Sequence, residues 1–215
     1  MTNTRYISAY AEALSRPVDA VAKDLESYAN LLRKWQKVQN LVSRETLNEL
    51  WTRHFADSLQ ALSVLSESDR LIMDIGSGGG FPALPMAIGS KGDDRKFVLV
   101  EPTSRKVSFL RTVARELSLN VEVFGKRTDE IDSRETGVPE VITSRALAAL
   151  PQLCEWMHPF FGENTRAVLH KGREHVEEIK QARTHWDFDV LTKGSDTDPG
   201  GVILTITGLK PRLAS

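Results

Sequence analysis

The stretch Leu71-Ile-Met-Asp-Ile-Gly-Ser-Gly-Gly-Gly-Phe-Pro82 constrains this chain more than any other. Leu71 to Ile75 is a short apolar run, the pattern of a central parallel strand covered on both faces. Asp74 interrupts it near its end, where a carboxylate can reach the turn that follows. Gly76, Gly78, Gly79 and Gly80 permit φ > 0 and leave no Cβ between the backbone and a bound group. Pro82 suits the first turn of a helix, where its missing N–H costs nothing. Turns of this kind bind nucleotide-like ligands at the carboxyl edge of an α/β sheet.

The spacing narrows the choice of ligand. A dinucleotide fingerprint wants glycine at the last position of G-x-G-x-x-G, and Phe81 stands there with a proline behind it. A phosphate loop needs Gly-Lys-Ser/Thr, which is missing. The form that remains, acid-x-Gly-x-Gly-x-Gly, resembles the first motif of S-adenosylmethionine-dependent methyltransferases. Another nucleotide fold, or a tight strand–helix turn that binds nothing, are the competing readings.

The remaining chain alternates strand and helix after this turn. Lys96 to Glu101, Val121 to Phe124, Glu140 to Thr143 and Ala167 to Lys171 read as strands. Ala83 to Ile88, Ser104 to Leu117, Leu150 to Phe161 (ended by Pro159) and Glu174 to Arg183 read as helices. Phe188 to Leu191 and Val202 to Ile206 read as a closing hairpin around a turn rich in Gly, Asp and Ser. Such alternation predicts a mostly parallel sheet. Before it, Val18, Val21, Leu25, Tyr28, Leu32 and Trp35 trace one helical stripe. Leu47 to Leu65 predict a second helical stretch, broken once. Within that stretch His54 and Asp57 stand at i, i+3, close enough to touch. They read either as an anchor against the glycine turn or as a substrate contact. A metal site would need further ligands at matching spacing, and none is seen. A boundary is expected near Ser66-Glu-Ser-Asp69.

Composition excludes little but usefully. The net charge of −1 means that a nucleic-acid partner needs a local basic face, not a bulk charge. The single cysteine, Cys154, excludes an internal disulfide and a thiolate cluster. No apolar run reaches membrane-spanning length, and no apolar h-region follows Met1 to Arg5, so a cytoplasmic protein without a signal peptide is expected.

Several positions at strand ends are candidates for ligand contact. Glu101 ends the second strand, where an acid receives the two hydroxyls of a ribose. Thr128 and Asp129 follow the third strand and are candidates for the edge of an adenine, or for a helix cap. Arg145 ends the fourth strand, where it reads as a site residue or as the partner of an acid such as Asp129. The nucleophilic cysteine of cytosine-C5 enzymes and the Pro-Pro signature of amino-methylating enzymes are both absent here.

Taken together, several pieces carry a specific resemblance. They are Trp35-x-x-x-x-Asn40-Leu41, Arg53-His54-x-x-Asp57-Ser58, Asp74-x-Gly-x-Gly-x-Gly-x-Pro82 and Arg105-Lys106-x-x-Phe109-Leu110, followed by Arg127, Ser144-Arg145-Ala146 and Lys171-Gly172. The chain resembles the RsmG (GidB) family, methyltransferases of guanine N7 in bacterial small-subunit (16S) ribosomal RNA. The resemblance implies the class I S-adenosylmethionine-dependent methyltransferase fold. This is a Rossmann-like α/β architecture with a seven-stranded, mostly parallel sheet whose last strand is antiparallel. A helical extension over 1–66 would pack on a methyltransferase domain over 67–215. It implies S-adenosyl-L-methionine as cofactor, with contacts at Asp74, Gly76, Gly78, Phe81, Thr128, Asp129 and Arg145 and with Glu101 on the ribose. Arg145 would also orient the reactants. The partner implied is 16S ribosomal RNA or the small subunit, bound by a monomer away from membranes. Arg105, Lys106, Lys126, Arg127, Lys171 and Arg173 are the candidate RNA contacts. Two departures stand out. Glu101 replaces a more usual Asp, and His170 precedes Lys171 where an apolar residue is common. A small-molecule methyltransferase, a nicotinamide dehydrogenase and a non-catalytic assembly factor are the rival readings.

Overall fold

The apolar runs form seven strands: β1 (Leu71–Ile75), β2 (Lys96–Val100), β3 (Val121–Phe124), β4 (Val141–Arg145), β5 (Arg166–Lys171), β6 (Trp186–Gly194) and β7 (Val202–Pro211). The structure is a computed structural model describing residues 3–43 and 45–213. The strands pair in one sheet in the order β3-β2-β1-β4-β5-β7-β6. β1 to β5 are mutually parallel, and β7 runs antiparallel between β5 and β6. The closing hairpin is longer than its apolar residues suggested and carries a bulge between Asp187 and Asp189.

Period-two alternation divides the buried side chains between the two faces. Ile72, Phe97, Leu99, Val141 and Val168 face one core. Met73, Ile75, Val98, Val100, Ile142 and Leu169 face the other, beneath Leu150, Leu153 and Met157 of the helix Leu150–Met157 and Ala182 of the helix His175–Ala182. That first helix stops ahead of Pro159, which lies in a single 3₁₀ turn, His158–Phe160. The chain reverses direction of winding between β1 and β4, which opens a crevice outside their carboxyl ends.

The N-terminal segments share the first of these cores. The helix Val18–Gln36 turns Val21, Leu25, Tyr28 and Leu32 into the cluster that holds Ile72 and Phe97. Ile7, Phe55 and Leu59 join the same cluster. The second helical stretch is less regular than expected. It passes from a 3₁₀ turn (Thr46–Glu49) to a π-helical segment (Leu50–Ala56), a short α turn (Asp57–Leu59) and a 3₁₀ turn (Gln60–Val64). The reason lies in its carbonyls. Arg53 O accepts from Arg145, His54 O from the Ser58 hydroxyl, and Asp57 O from His170, so the segment does not run as one regular ladder. The segment around Ser66 to Asp69 is fixed, not loose: Asp69 is buried and takes a bidentate bond from Arg166 at 2.9 and 2.5 Å. Among the described residues no helix is long and apolar enough to cross a membrane.

Candidate active site

A cavity of about 900 Å³ opens at the carboxyl ends of β1, β2, β4 and β5. Its wall includes Gly76, Gly78, Glu101, Arg145, Leu147, His170 and Lys171 from the sheet side. Asn40, Leu41, Arg53, His54 and Asp57 from the N-terminal segments face them. Ser195, Thr197 and Asp198, from the turn before β7, complete the rim.

The glycine turn is pinned from below and bare above only at Gly78. Gly76, Gly78 and Gly80 all have positive φ. The Tyr28 hydroxyl donates to the Gly79 carbonyl, and Ser77 N–H to the Val100 carbonyl at 3.0 Å. A Cβ on Gly79 would stand 2.9 Å from the Leu41 carbonyl oxygen, whereas a Cβ on Gly78 would meet open space apart from Gly76 O at 3.8 Å. Glu101 is 4% exposed and accepts from Gly78 N–H and Thr103 N–H, both at 2.9 Å. Each oxygen keeps a further lone pair. Asp74 is buried, accepts from the Thr143 hydroxyl at 2.7 Å through Oδ1, and has no partner at Oδ2 among the described residues. Burial pushes its carboxyl up to about 7.

Arg145 is the hub of the opposite wall. Nη1 donates to the Arg53 carbonyl at 2.9 Å and to Asp57 Oδ2 at 2.8 Å, and Nη2 to His54 Nδ1 at 2.6 Å. The guanidinium lies 5.0 Å from the Phe81 ring centre. Thus His54 and Asp57 meet through Arg145, whose acid partner is Asp57. The alternative partner, Asp129, pairs instead with Arg127 at 3.0 Å on the surface. Because a guanidinium only donates, His54 carries its proton on Nε2 and donates to the Thr46 hydroxyl at 2.8 Å. Burial, then the Arg145 charge, lowers the His54 pKa to about 3, so the ring is neutral. Burial alone would raise Asp57; the Arg145 charge and the hydrogen bonds from Thr197 and Arg145 outweigh it and leave the carboxyl lowered. Phe81 itself points into an aromatic cluster, with Tyr28 at 5.5 Å and His54 at 4.7 Å between ring centres.

The other residues singled out in the sequence divide between the cavity wall and the surface. Thr128 and Asp129 form a 3₁₀ turn after β3, outside the cavity lining, and neither side chain caps it. Lys126 pairs with Glu135 at 2.7 Å. Lys171 is turned inward: its ammonium donates to the Ala148 carbonyl at 2.9 Å and lies 2.5 Å from Glu178, which also accepts from Leu150 N–H. That salt bridge ties β5 to both helices of the second core and leaves little charge for a phosphate. Arg105, Lys106 and Arg173 form no ion pair among the described residues, and Lys106 lines the cavity. Cys154 is buried in the second core with its thiol pushed up to about 12 by burial. Sequence reasoning missed Leu147, Ser195, Thr197 and Asp198. Ala146, with φ of 53°, turns Leu147 over Gly76, a left-handed residue that no local pattern announced.

A family model described as rRNA small subunit methyltransferase G matches residues 21–196. A Cereibacter sphaeroides protein of that name is 40% identical over 190 residues, covering 87% of this chain and 91% of its own length. One from Bartonella henselae is 40% identical over 190 residues, covering 87% of each chain. The chain belongs to this family. As a small-subunit rRNA methyltransferase G it is an enzyme, and its cofactor is S-adenosyl-L-methionine. Solved structures share the class I methyltransferase fold at low identity. Cofactor-bound Rv0187 from MTB superposes with a TM-score of 0.57 at 14% identity, covering 86% of this chain and 89% of its own. TYW2 from M. jannaschii in complex with AdoMet gives 0.55 at 13%, covering 82% and 80%.

The cavity of this family member fits the cofactor. The free lone pairs of Glu101 suit ribose hydroxyls and the space above Gly78 admits a ligand against bare backbone, while Asp74, buried beneath the turn and outside the cavity lining, keeps an unpartnered Oδ2 that suits an ammonium group.

Proposed function

We propose that this chain transfers the methyl group of S-adenosyl-L-methionine to N7 of a guanine in 16S ribosomal RNA. The products are 7-methylguanosine and S-adenosylhomocysteine. Beyond family membership, the observation that supports this reading is the state of the titratable groups in the substrate half of the cavity. His54 has its Nδ1 lone pair taken by Arg145 and its Nε2 proton given to Thr46. Asp57 accepts from Arg145, Thr197 and Gln60. His170 donates to the Asp57 carbonyl. His54 and Asp57 are therefore not free to act as a general base. An amino or hydroxyl nucleophile would need one, whereas guanine N7 offers a lone pair with no proton to remove.

The cofactor, when bound, supplies a methyl group activated on a sulfonium. The chain's own contribution is positioning, which can lower a barrier by roughly 7–11 kcal/mol. Glu101 holds the ribose, Asp74 the ammonium, and Gly76, Gly78 and Phe81 shape the floor. Thr128 and Asp129 lie outside the cavity lining, and by their place after β3 they would meet only the adenine edge of a bound cofactor. Arg145 orients cofactor or base with the N–H groups it has not spent on Arg53, Asp57 and His54. A bare cation beside N7 would oppose the charge that develops there, and the Asp57 carboxylate at 2.8 Å offsets it. Arg105, Lys106 and Arg173 are the leading RNA contacts, with Lys126 and Arg127 available where a phosphate displaces their surface acids. On this reading the enzyme is cytoplasmic and monomeric.

The test is methyl transfer from labelled cofactor to small subunits from cells lacking this protein, followed by nucleoside analysis. Label is expected in 7-methylguanosine. No label on subunits or naked 16S RNA, with cofactor still bound, would overturn the RNA reading in favour of a small-molecule substrate.

A further inference from the structure

We propose that His170 reads the target base, its Nδ1 accepting a hydrogen bond from the N1–H or exocyclic amino group of guanine. The inference rests on the guanine reading above and adds to it a residue that sets specificity.

His170 is 8% exposed and stands beside Arg145 in the β4–β5 register, with Ile203 on its other side. Its Nε2 lies 2.8 Å from the Asp57 carbonyl oxygen. A carbonyl only accepts, so Nε2 carries the proton and Nδ1 carries a lone pair. Burial, then the Arg145 charge, keeps the ring neutral against the opposing pull of Asp57. Nδ1 has no partner among the described residues. Buried acceptors are seldom left unpaired, and an apolar side chain here would carry no such penalty.

No protein donor is at hand to complete it. Arg145, the neighbour of His170 in the register, turns Nη1 and Nη2 to Arg53, Asp57 and His54, and Lys171 turns to Glu178 and Ala148. His170 lines the cavity, so a bound base that displaces the packing over Nδ1 is the remaining source. The cofactor is the poorer candidate. Its partners Asp74, Gly78 and Glu101 belong to the ends of β1 and β2, while β5 lies two strand spacings beyond β1, about 10 Å away.

The base fits by its edges. Guanine presents only acceptors, N7 and O6, on the edge that meets the methyl group. Its donors, N1–H and the N2 amino group, lie on the side turned away from N7, which would face β5 in this arrangement. Adenine would bring the N1 lone pair there, setting two acceptors against each other. A site built on one such bond rejects the analogue that lacks it more strongly than apolar contact can.

Two substitutions separate reading from anchoring. His170→Gln keeps an N–H within reach of the Asp57 carbonyl and removes the acceptor at the Nδ1 position. His170→Asn keeps that acceptor and gives up the Asp57 bond. The substrates are 16S transcripts carrying guanosine, inosine or adenosine at the methylated position, with cofactor affinity measured in parallel by calorimetry. For His170→Gln, kcat/KM on the guanosine transcript is expected to fall about tenfold or more with cofactor affinity unchanged, and discrimination against adenosine to relax. His170→Asn is expected to stay within about threefold of the natural chain. Inosine, which keeps N1–H and lacks the amino group, tells which donor is read. The reverse order, with His170→Gln unaffected and His170→Asn impaired, would make His170 an anchor and overturn the proposal, as would two variants equal to the natural chain. If the natural chain makes no 7-methylguanosine, the guanine reading and this inference fall together; if it does and His170→Gln discriminates equally well, only this inference falls.

Discussion

Replacing Asp74 with asparagine should stabilise the ligand-free chain above neutral pH while weakening its hold on the cofactor. Burial lifts this carboxyl from its ordinary 3.8 to about 7. Between those values the folded chain keeps a proton that the unfolded chain has released, so stability falls as pH rises. At about 1.4 kcal/mol per pH unit, the ionised carboxylate costs about 4 kcal/mol once the pH is well above 7. Asparagine has the same shape and can still accept from Thr143, but it leaves an amide N–H where Oδ2 had no partner. That penalty, about 1–3 kcal/mol, does not depend on pH. The quantity to read is therefore the gap between the two proteins across a pH series of urea denaturations. The natural chain should lose about 3 kcal/mol relative to Asp74→Asn between roughly pH 5 and pH 8.5. Saturating cofactor should shrink this change, because an ammonium beside Oδ2 favours the ionised form. A gap that stays constant with pH would refute the burial argument. A gap that cofactor leaves untouched would remove Asp74 from the cofactor's partners.

Five further outcomes follow from the geometry. Tyr28→Phe strips a donor from the buried Gly79 carbonyl and should cost about 1–3 kcal/mol in denaturation, together with a raised KM for the cofactor. Gly78→Ala should fold with a loss of about 1 kcal/mol from its left-handed backbone and bind cofactor weakly by calorimetry, since the added methyl enters the cavity. Gly79→Ala should instead destabilise the chain, because its methyl would press on the Leu41 carbonyl at 2.9 Å. Lys171→Ala should cost about 1–3 kcal/mol by unpairing Glu178 and leave the salt slope of RNA binding unchanged, while Lys106→Ala should leave stability alone and flatten that slope by about one.

Local patterning determined much of this protein. Apolar runs of strand length, the glycine turn and the stripe from Val18 to Trp35 each depend on neighbours a few residues away, so β1 to β5 and the helix Val18–Gln36 were legible from order alone. The motif Asp74-x-Gly-x-Gly-x-Gly, with Glu101 ending the next strand, marked the cofactor half of the cavity for the same reason. Tertiary structure decided the other half. Arg145 finds Asp57 and His54 across separations of 88 and 91 residues, a choice that turns on packing and not on spacing. Arg145 and His170 also take up the Arg53 and Asp57 carbonyls of the segment from Thr46 to Val64, which is why a helical stripe became a run of changing pitch. Lys171 resembled a surface cation in sequence, and only the approach of Glu178 turned it inward. The lone pair of His170 had no sequence signature beyond an unexpected polar residue. It became meaningful once the Asp57 carbonyl fixed which nitrogen holds the proton.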